Sequence, residues 1–311
     1  SLKMQEKGGN MMKILGICAG RRMGNSEILL KLALKGAEEA GFKVEFIRLQ
    51  DYQVIPCTGC EVCMSKKVLS GQDTACSIPS DADNYSKYAE LVLEADGLII
   101  SAPCYNLTVA GRLLDALNRQ HCCLSQLKRR CNERAKYAAT IGVAGTDWSN
   151  YLMPILNFAA TEHCGSKMHL ADQMLVEFNP APGTVVLDES ATRRAYKLGQ
   201  NLVVAMKENK GRHCYLGDAE EVCPICHGAH LQLRNGKLIC PTCDITAHVA
   251  QVDGKVQVTW EQDFDVCRWS EYGDDLHLSG IRAGHGKRKE NLDRILELTE
   301  DLKDYLTPIQ P

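Results

Sequence analysis

No apolar run in this 311-residue chain approaches the roughly 20 residues needed to cross a bilayer, so no membrane-spanning helix is expected. Neither sign of charge is in excess. The chain holds 36 Lys and Arg against 39 Asp and Glu, a formal net charge of −3, which gives no general attraction to nucleic acid or anionic lipid. The opening stretch SLKMQEKGGNMMK lacks the apolar core of a secretion signal, and a cytoplasmic location is the expectation. Also missing are a Walker A loop and a GxGxxG fingerprint, which disfavours a nucleoside triphosphate or ordinary dinucleotide site. No internal repeat is present.

Cysteine, by contrast, is abundant: the chain has 16. In a reducing compartment such residues serve as metal ligands, reactive thiols or small hydrophobes more often than as disulfides. Eight of them fall into two groups. Cys57, Cys60 and Cys63 follow one another at two-residue intervals within Pro56 to Cys76, with Cys76 as a fourth thiol. Cys223-Pro-Ile-Cys226 and Cys240-Pro-Thr-Cys243 form paired knuckles about HGAHLQLRNGKLI. The other eight (Cys18, Cys104, Cys122, Cys123, Cys131, Cys164, Cys214 and Cys267) have no such pairing and read as structural or incidental.

Strand-like and helix-like patterns alternate five times between Met12 and Asn209. Strands are expected at Met12 to Ala19, Lys43 to Leu49, Gly97 to Ala102, Tyr137 to Ala144 and Met168 to Phe178. Helices are expected at Glu27 to Ala40, Asp83 to Ala95, Thr108 to Arg119, Tyr151 to Cys164 and Glu189 to Asn209. This predicts an α/β fold, a doubly wound five-stranded parallel sheet over about residues 11–210, with ligands at the carboxyl ends of its strands. A small β module over 211–266 and an extension over 267–311 follow. In the extension, Leu292 to Leu306 is amphipathic and is expected to pack back on one of the domains.

Three loops leave the carboxyl edge of the predicted sheet. Gly20 to Ser26 lies between the first strand and first helix, where backbone amides and a helix N-terminus can hold a phosphate; an ordinary capped turn is the plainer alternative. Ser101 to Arg112 and Gly142 to Trp148 could take a flat ring between them. Flavin mononucleotide (FMN) has the matching shape.

The stretches ICAGRRMGNSE and EADGLIISAPCYNLTVAGRLLDALNR resemble the phosphate loop and the ring-binding segment of the NADPH-dependent FMN reductase group of flavodoxin-like proteins. The cysteine loop between them narrows the resemblance to iron–sulfur flavoproteins. Two features depart from that pattern: the gap from Cys63 to Cys76 is longer, and Ala19-Gly20 stands where the family often has a Gly-Ser-Pro turn. The resemblance implies that Gly20, Arg22, Gly24, Asn25 and Ser26 bind the FMN phosphate. Pro103, Cys104, Tyr105, Asn106 and Leu107 would line the isoalloxazine and ribityl chain, with Gly145 and Thr146 on the far side. It implies no catalytic side chain, since the flavin carries the chemistry, and it implies homodimers or homotetramers.

For Cys57, Cys60, Cys63 and Cys76 the chemistry points to a [4Fe–4S] cluster, with zinc or an empty site as alternatives that spacing cannot separate. The knuckles Cys223, Cys226, Cys240 and Cys243 read as a zinc-ribbon-like structural site, with a rubredoxin-like iron site as the alternative. His227, His230 and His248 are expected at the surface. The basic runs His285 to Lys289 and Lys128 to Arg130 read as solvated helix segments, the former as a helix start.

The leading expectation is an FMN-dependent oxidoreductase passing electrons between a donor, NAD(P)H or a ferredoxin-like protein, and an acceptor through FMN and the cluster. A NAD(P)H-dependent FMN or quinone reductase without a cluster is the alternative. A flavin- and zinc-binding interaction or regulatory protein is the third reading, and the ribbon's excess of acids makes nucleic acid an unlikely partner.

Overall fold

In the computed structural model, described over residues 11–70, 75–167, 169–220, 222–261 and 263–309, five parallel strands form one twisted sheet. These are β1 (Lys13–Cys18), β2 (Lys43–Arg48), β3 (Gly97–Tyr105), β5 (Tyr137–Val143) and β6 (Leu170–Val176), in the order β2-β1-β3-β5-β6. A two-residue strand, β4 (Thr108–Val109), folds back on the end of β3. Helices α1 (Asn25–Glu39) and α7 (Glu189–Glu208) cover one face. On the other lie α3 (Tyr85–Glu94), α4 (Gly111–Asn118), α5 (Leu124–Glu133) and α6 (Leu152–His163).

Alternation along β3 shows why both faces must be covered. Leu98 and Ile100 enter the core beneath α3, α4 and α6 with Tyr88, Leu113 and Leu156. Ile99, between them, enters the opposite core with Leu30, Leu198 and Leu202. Consecutive residues of a strand point to opposite faces, so an unbroken apolar strand buries itself only between two helical layers.

The layer of α1 and α7 depends on two glycines. A Cβ on Gly199 would stand 1.8 Å from the Ala33 carbonyl oxygen, and one on Gly36 would stand 2.1 Å from that of Tyr196. The helices therefore touch backbone to backbone. At the other flank of α1, buried Arg48 donates from Nε to Glu27 at 2.8 Å and pairs with Asp51 at 2.5 Å. Burial pushes the Glu27 carboxyl up, but hydrogen bonds from Arg48 and Lys31 outweigh it and hold the pKa at about 2.

Beyond α7 the chain forms an antiparallel sheet from β7 (Gln232–Arg234), β8 (Lys237–Ile239), β9 (Thr246–Val252) and β10 (Lys255–Trp260), ordered β10-β9-β8-β7. β9 escaped the sequence reading because TAHVAQV mixes polar and small residues. A larger departure is α8 (Glu271–Glu290), a 20-residue helix with no buried residue. Its four glycines and lack of an apolar stripe concealed it. It is tied to the body by Lys128, whose Nζ lies 2.6 Å from Asp274. The basic run His285 to Lys289 falls at its end and not at a start, where cations favour the helix dipole. The expected closing helix is shorter, α9 (Leu292–Thr299) followed by a 3-10 turn, and it does not pack back: Leu296, Leu298 and Leu302 are exposed. Among the described residues no helix is long and apolar enough to cross a membrane.

Gly199→Ala should force α1 and α7 apart and lower unfolding stability by about 3 kcal/mol in urea titrations, a severe overpacking effect. Glu27→Gln should cost roughly 3 kcal/mol at neutral pH, because it leaves Arg48 buried without its main partner. Since the folded pKa of Glu27 lies below its ordinary value of 4.5, its stabilisation is present above that value and fades as pH falls towards 2. The gap between wild type and variant should therefore narrow in that acid window.

Candidate flavin site and cysteine groups

Four loops meet at the carboxyl edge of the parallel sheet and enclose a pocket of about 210 Å³. The loop after β1 supplies Gly20, Arg21, Gly24, Asn25 and Ser26, and the end of β3 supplies Pro103, Cys104 and Tyr105. The loop after β5 adds Gly145, and that after β6 adds Asn179, Pro180 and Pro182. The pocket sits where the strand order reverses, between β1 and β3.

The start of α1 opens into this space. Gly24 is its N-cap and no side chain caps the first turn, so the leading amides of the helix lack the usual partner. Unspent amides at the positive end of a helix dipole suit an anion. Gly20 and Gly24 both sit in tight surroundings: a Cβ on Gly20 would meet Ser26 Cβ at 3.2 Å, and one on Gly24 would meet Arg21 Cγ at 3.0 Å. The loops are fastened to each other. Ser101 Oγ donates to the Ser26 carbonyl at 2.9 Å, and the Ala19 amide donates to the Ser101 carbonyl at 2.8 Å.

Asn25, which lines the pocket, also joins two of its loops. Its side-chain amide donates to the carbonyls of Asn179 and Ala181, each at 2.9 Å, and its Oδ1 accepts from the Val185 amide at 3.3 Å. The side chain thus clamps the β6–α7 loop.

Of the residues expected to hold FMN, the structure gathers Gly20, Gly24, Asn25, Ser26, Pro103, Cys104, Tyr105 and Gly145 around this pocket. Arg22, Asn106, Leu107 and Thr146 are not among its lining residues; Arg21 stands where Arg22 was expected. The reason is local geometry. The Gly24 amide closes a turn on the Arg21 carbonyl at 3.1 Å, which directs Arg21 inward. Asn106 and Leu107 form the tip of the β3–β4 hairpin, both with positive φ (49° and 70°), and act by presenting Tyr105. The Asn179 to Pro182 segment was missed, although a proline-rich loop after the fifth strand must emerge at the same edge. Tyr105, Trp148 and Phe178 are exposed on these loops, Tyr105 lining the pocket, and Cys104 Sγ ties two of the loops by donating to the Trp148 carbonyl at 3.0 Å.

The cysteine loop follows β2 and leads into α2 (Val62–Ser70). Its base is fixed by Asp83, which accepts from the Ile55 amide at 2.8 Å and pairs with Arg119. Cys57 and Cys60 are exposed, and Cys63 and Cys76 are half-buried. Despite the long gap, the chain returns to the loop: Cys60 Sγ and Ser77 Oγ are 2.9 Å apart. The hydrogen bond from Ser77 holds the Cys60 thiol below its ordinary pKa. Burial pushes the Cys63 thiol up, reinforced by the neighbouring thiols of Cys122 and Cys76.

Only the ribbon cysteines, among the described residues, bring three or more His, Cys, Asp or Glu ligand atoms within 4.8 Å of one another. A zinc ion bound at about 2.3 Å needs tetrahedral sulfurs ~3.8 Å apart. Cys223, Cys226, Cys240 and Cys243, all buried, meet that need; the loop thiols form no such compact group. Hydrogen bonds from the other three thiols hold Cys240 strongly acidic. His227 and Asp244, one after each knuckle, adopt positive φ (53° and 65°) where a glycine is usual.

His227 is buried and not at the surface as expected; its ring stacks on Tyr215 at 3.6 Å and 6°. Burial lowers its pKa to about 4, so the ring is neutral at physiological pH. His230 is half-buried against Tyr151, and only His248 is exposed. The ribbon is further joined to the sheet by Gln173, whose amide donates to the Tyr215 hydroxyl at 3.0 Å and the His227 carbonyl at 2.6 Å. Asn157 donates to the Cys226 carbonyl at 3.2 Å and to Gln173 at 2.6 Å, and accepts from Thr140 at 2.7 Å.

Several known proteins are similar to this chain. An iron-sulfur flavoprotein of Methanocaldococcus jannaschii is 34% identical over 109 residues, 35% of this chain and 51% of that protein, so the match spans about half of that relative's length. A flavone synthase of Aspergillus candidus is 25% identical over 303 residues, 88% of this chain and 90% of its own. A solved flavone reductase has the same fold, with a TM-score of 0.73 at 23% identity over 96% of this chain and 100% of its own. Residues 12–164 match the family of NADPH-dependent FMN reductases, and over that segment the chain is similar to these flavin-dependent oxidoreductases.

Proposed function

We propose that the protein binds FMN in the carboxyl-edge pocket and transfers reducing equivalents between NAD(P)H and a flat, conjugated organic substrate. The observation that carries this reading is the uncapped start of α1 opening beneath Pro103, Cys104 and Tyr105. The first-turn amides and Ser26 would hold the FMN phosphate, with Arg21 adding charge. Pro103 to Tyr105 and Gly145 would clamp the ring, and bound FMN would supply the two-electron chemistry. Tyr105, Trp148 and Phe178 would stack a planar substrate over it and keep water out.

Similarity to the flavone synthase extends along most of the chain, ribbon included, so an aromatic enone or its dihydro form is the substrate class to test. Purified protein should take up one FMN, and NADPH oxidation should accelerate on adding a flavone. Phe178→Ala and Trp148→Ala should each raise the flavone KM about tenfold while retaining FMN, a loss on the scale of one stacked ring. Failure of the wild-type protein to bind FMN would sink the flavin assignment; flavin binding with turnover of quinones alone would sink the substrate class.

The cysteine loop favours a second, compatible reading, a [4Fe–4S] cluster on Cys57, Cys60, Cys63 and Cys76. Its support is the approach of Ser77 to Cys60, which carries Cys76 back to the other thiols. In that case anaerobic preparations should contain iron and sulfide in equal amounts, and Cys60→Ser should lose both while keeping zinc. Iron-free protein after reconstitution would count against the cluster.

The ribbon is assigned zinc, with a structural role. Cys226→Ser, or a strong chelator, should release the ion and undock the module, detectable as new proteolytic cleavage between 216 and 266, while FMN stays bound. The exposed leucines of α8 and α9 support the expected homo-oligomer, which light scattering would check.

A further inference from the structure

A cavity of about 650 Å³ lies at the opposite end of the parallel sheet from the flavin pocket. Lys167 and His169 reach it from the turn that precedes β6, and Lys210 and His213 from the segment after α7. These mark the amino edge of the parallel sheet, about 20 Å from the flavin edge by the length of a six- or seven-residue strand. The far wall belongs to the ribbon and to the link between β10 and α8, with Phe264, Asp265, Trp269 and Glu271.

The two walls differ in chemistry. All four basic groups flank the amino edge of the parallel sheet, whereas both acids, Phe264 and Trp269 come from the opposite side. Each ring is held by a neighbour: Phe264 meets His213 edge-on at 6.1 Å, and Trp269 packs against Phe158 at 5.9 Å. The Trp269 indole N–H has no acceptor among the described residues. A ligand matching this division carries an anion at one end and, at the other, a flat ring that donates hydrogen bonds.

We propose that this cavity is a second ligand site, for a purine mononucleotide with an exocyclic amine. Its phosphate lies against Lys167, His169, Lys210 and His213. Its base stacks on Phe264 or Trp269 and donates from the amine to Asp265 or Glu271. The volume falls within the range of small-molecule sites. Because Ile225 of the first zinc knuckle also lines the cavity, occupancy would brace the ribbon against the sheet.

The test uses the holoprotein saturated with FMN, so that the flavin pocket is closed to competitors. Isothermal titration with AMP should give one site per chain. IMP, adenosine and inorganic phosphate should each bind at least about tenfold more weakly. The double variant Lys167→Ala with Lys210→Ala should lose AMP binding by a similar factor while its FMN content and circular dichroism stay unchanged. Asp265→Asn with Glu271→Gln should weaken AMP but leave IMP as it was. No heat from AMP, binding only when FMN is absent, or undiminished affinity in the lysine variant would overturn the site. Equal affinity for AMP and IMP would overturn the role of the acidic wall.

Discussion

The backbone contact between α1 and α7 is the constraint on which the carboxyl-edge pocket depends. Gly36 and Gly199 let the two helices meet without intervening side chains. The contact fixes the tilt of α1 over the sheet, and that tilt sets where the first-turn amides point. Asn25 then transmits the same geometry to the loop after β6, through its two carbonyl acceptors and the Val185 amide. A helix crossing some distance from the pocket therefore decides the shape of the pocket.

A second dependence runs sideways across the sheet. Thr140 on β5, Asn157 on α6 and Gln173 on β6 form a connected series of hydrogen bonds ending on the Cys226 and His227 carbonyls. The ribbon has little core of its own, and its buried cluster is made largely of its cysteines with Ile225 and Ile245. It is held by three different means: the donor set suited to a metal, this polar series and the Tyr215–His227 stack. Because burial keeps His227 neutral, the stack places no uncompensated charge at the junction.

The sheet was legible because an apolar strand followed by an amphipathic helix repeats five times, and such a repeat has few topological solutions. Loops at the carboxyl edge followed from that order, which is why Gly20, Gly24, Ser26, Pro103 and Tyr105 could be named. The choice between Arg21 and Arg22 could not, since it turns on one hydrogen bond closing a four-residue turn. The side-chain contacts of Asn25 could not be named either, because its acceptors are more than 150 residues away. His227 looked like a surface residue because its stacking partner belongs to another part of the fold. Helix α8 was concealed by its composition: a polar helix rich in glycine leaves no periodic apolar signal.

The uncapped first turn of α1 has a consequence for the life of the protein in the cell. A helix that starts without a capping side chain begins with part of its stabilisation missing, and a bound anion restores it. By mass action, an anion at a hundred times its Kd adds about 2.7 kcal/mol to the folded state. A difference of that size changes the fraction of chains open to proteases by roughly two orders of magnitude. An anion that binds at this helix terminus would thereby link the abundance of the protein to its own supply.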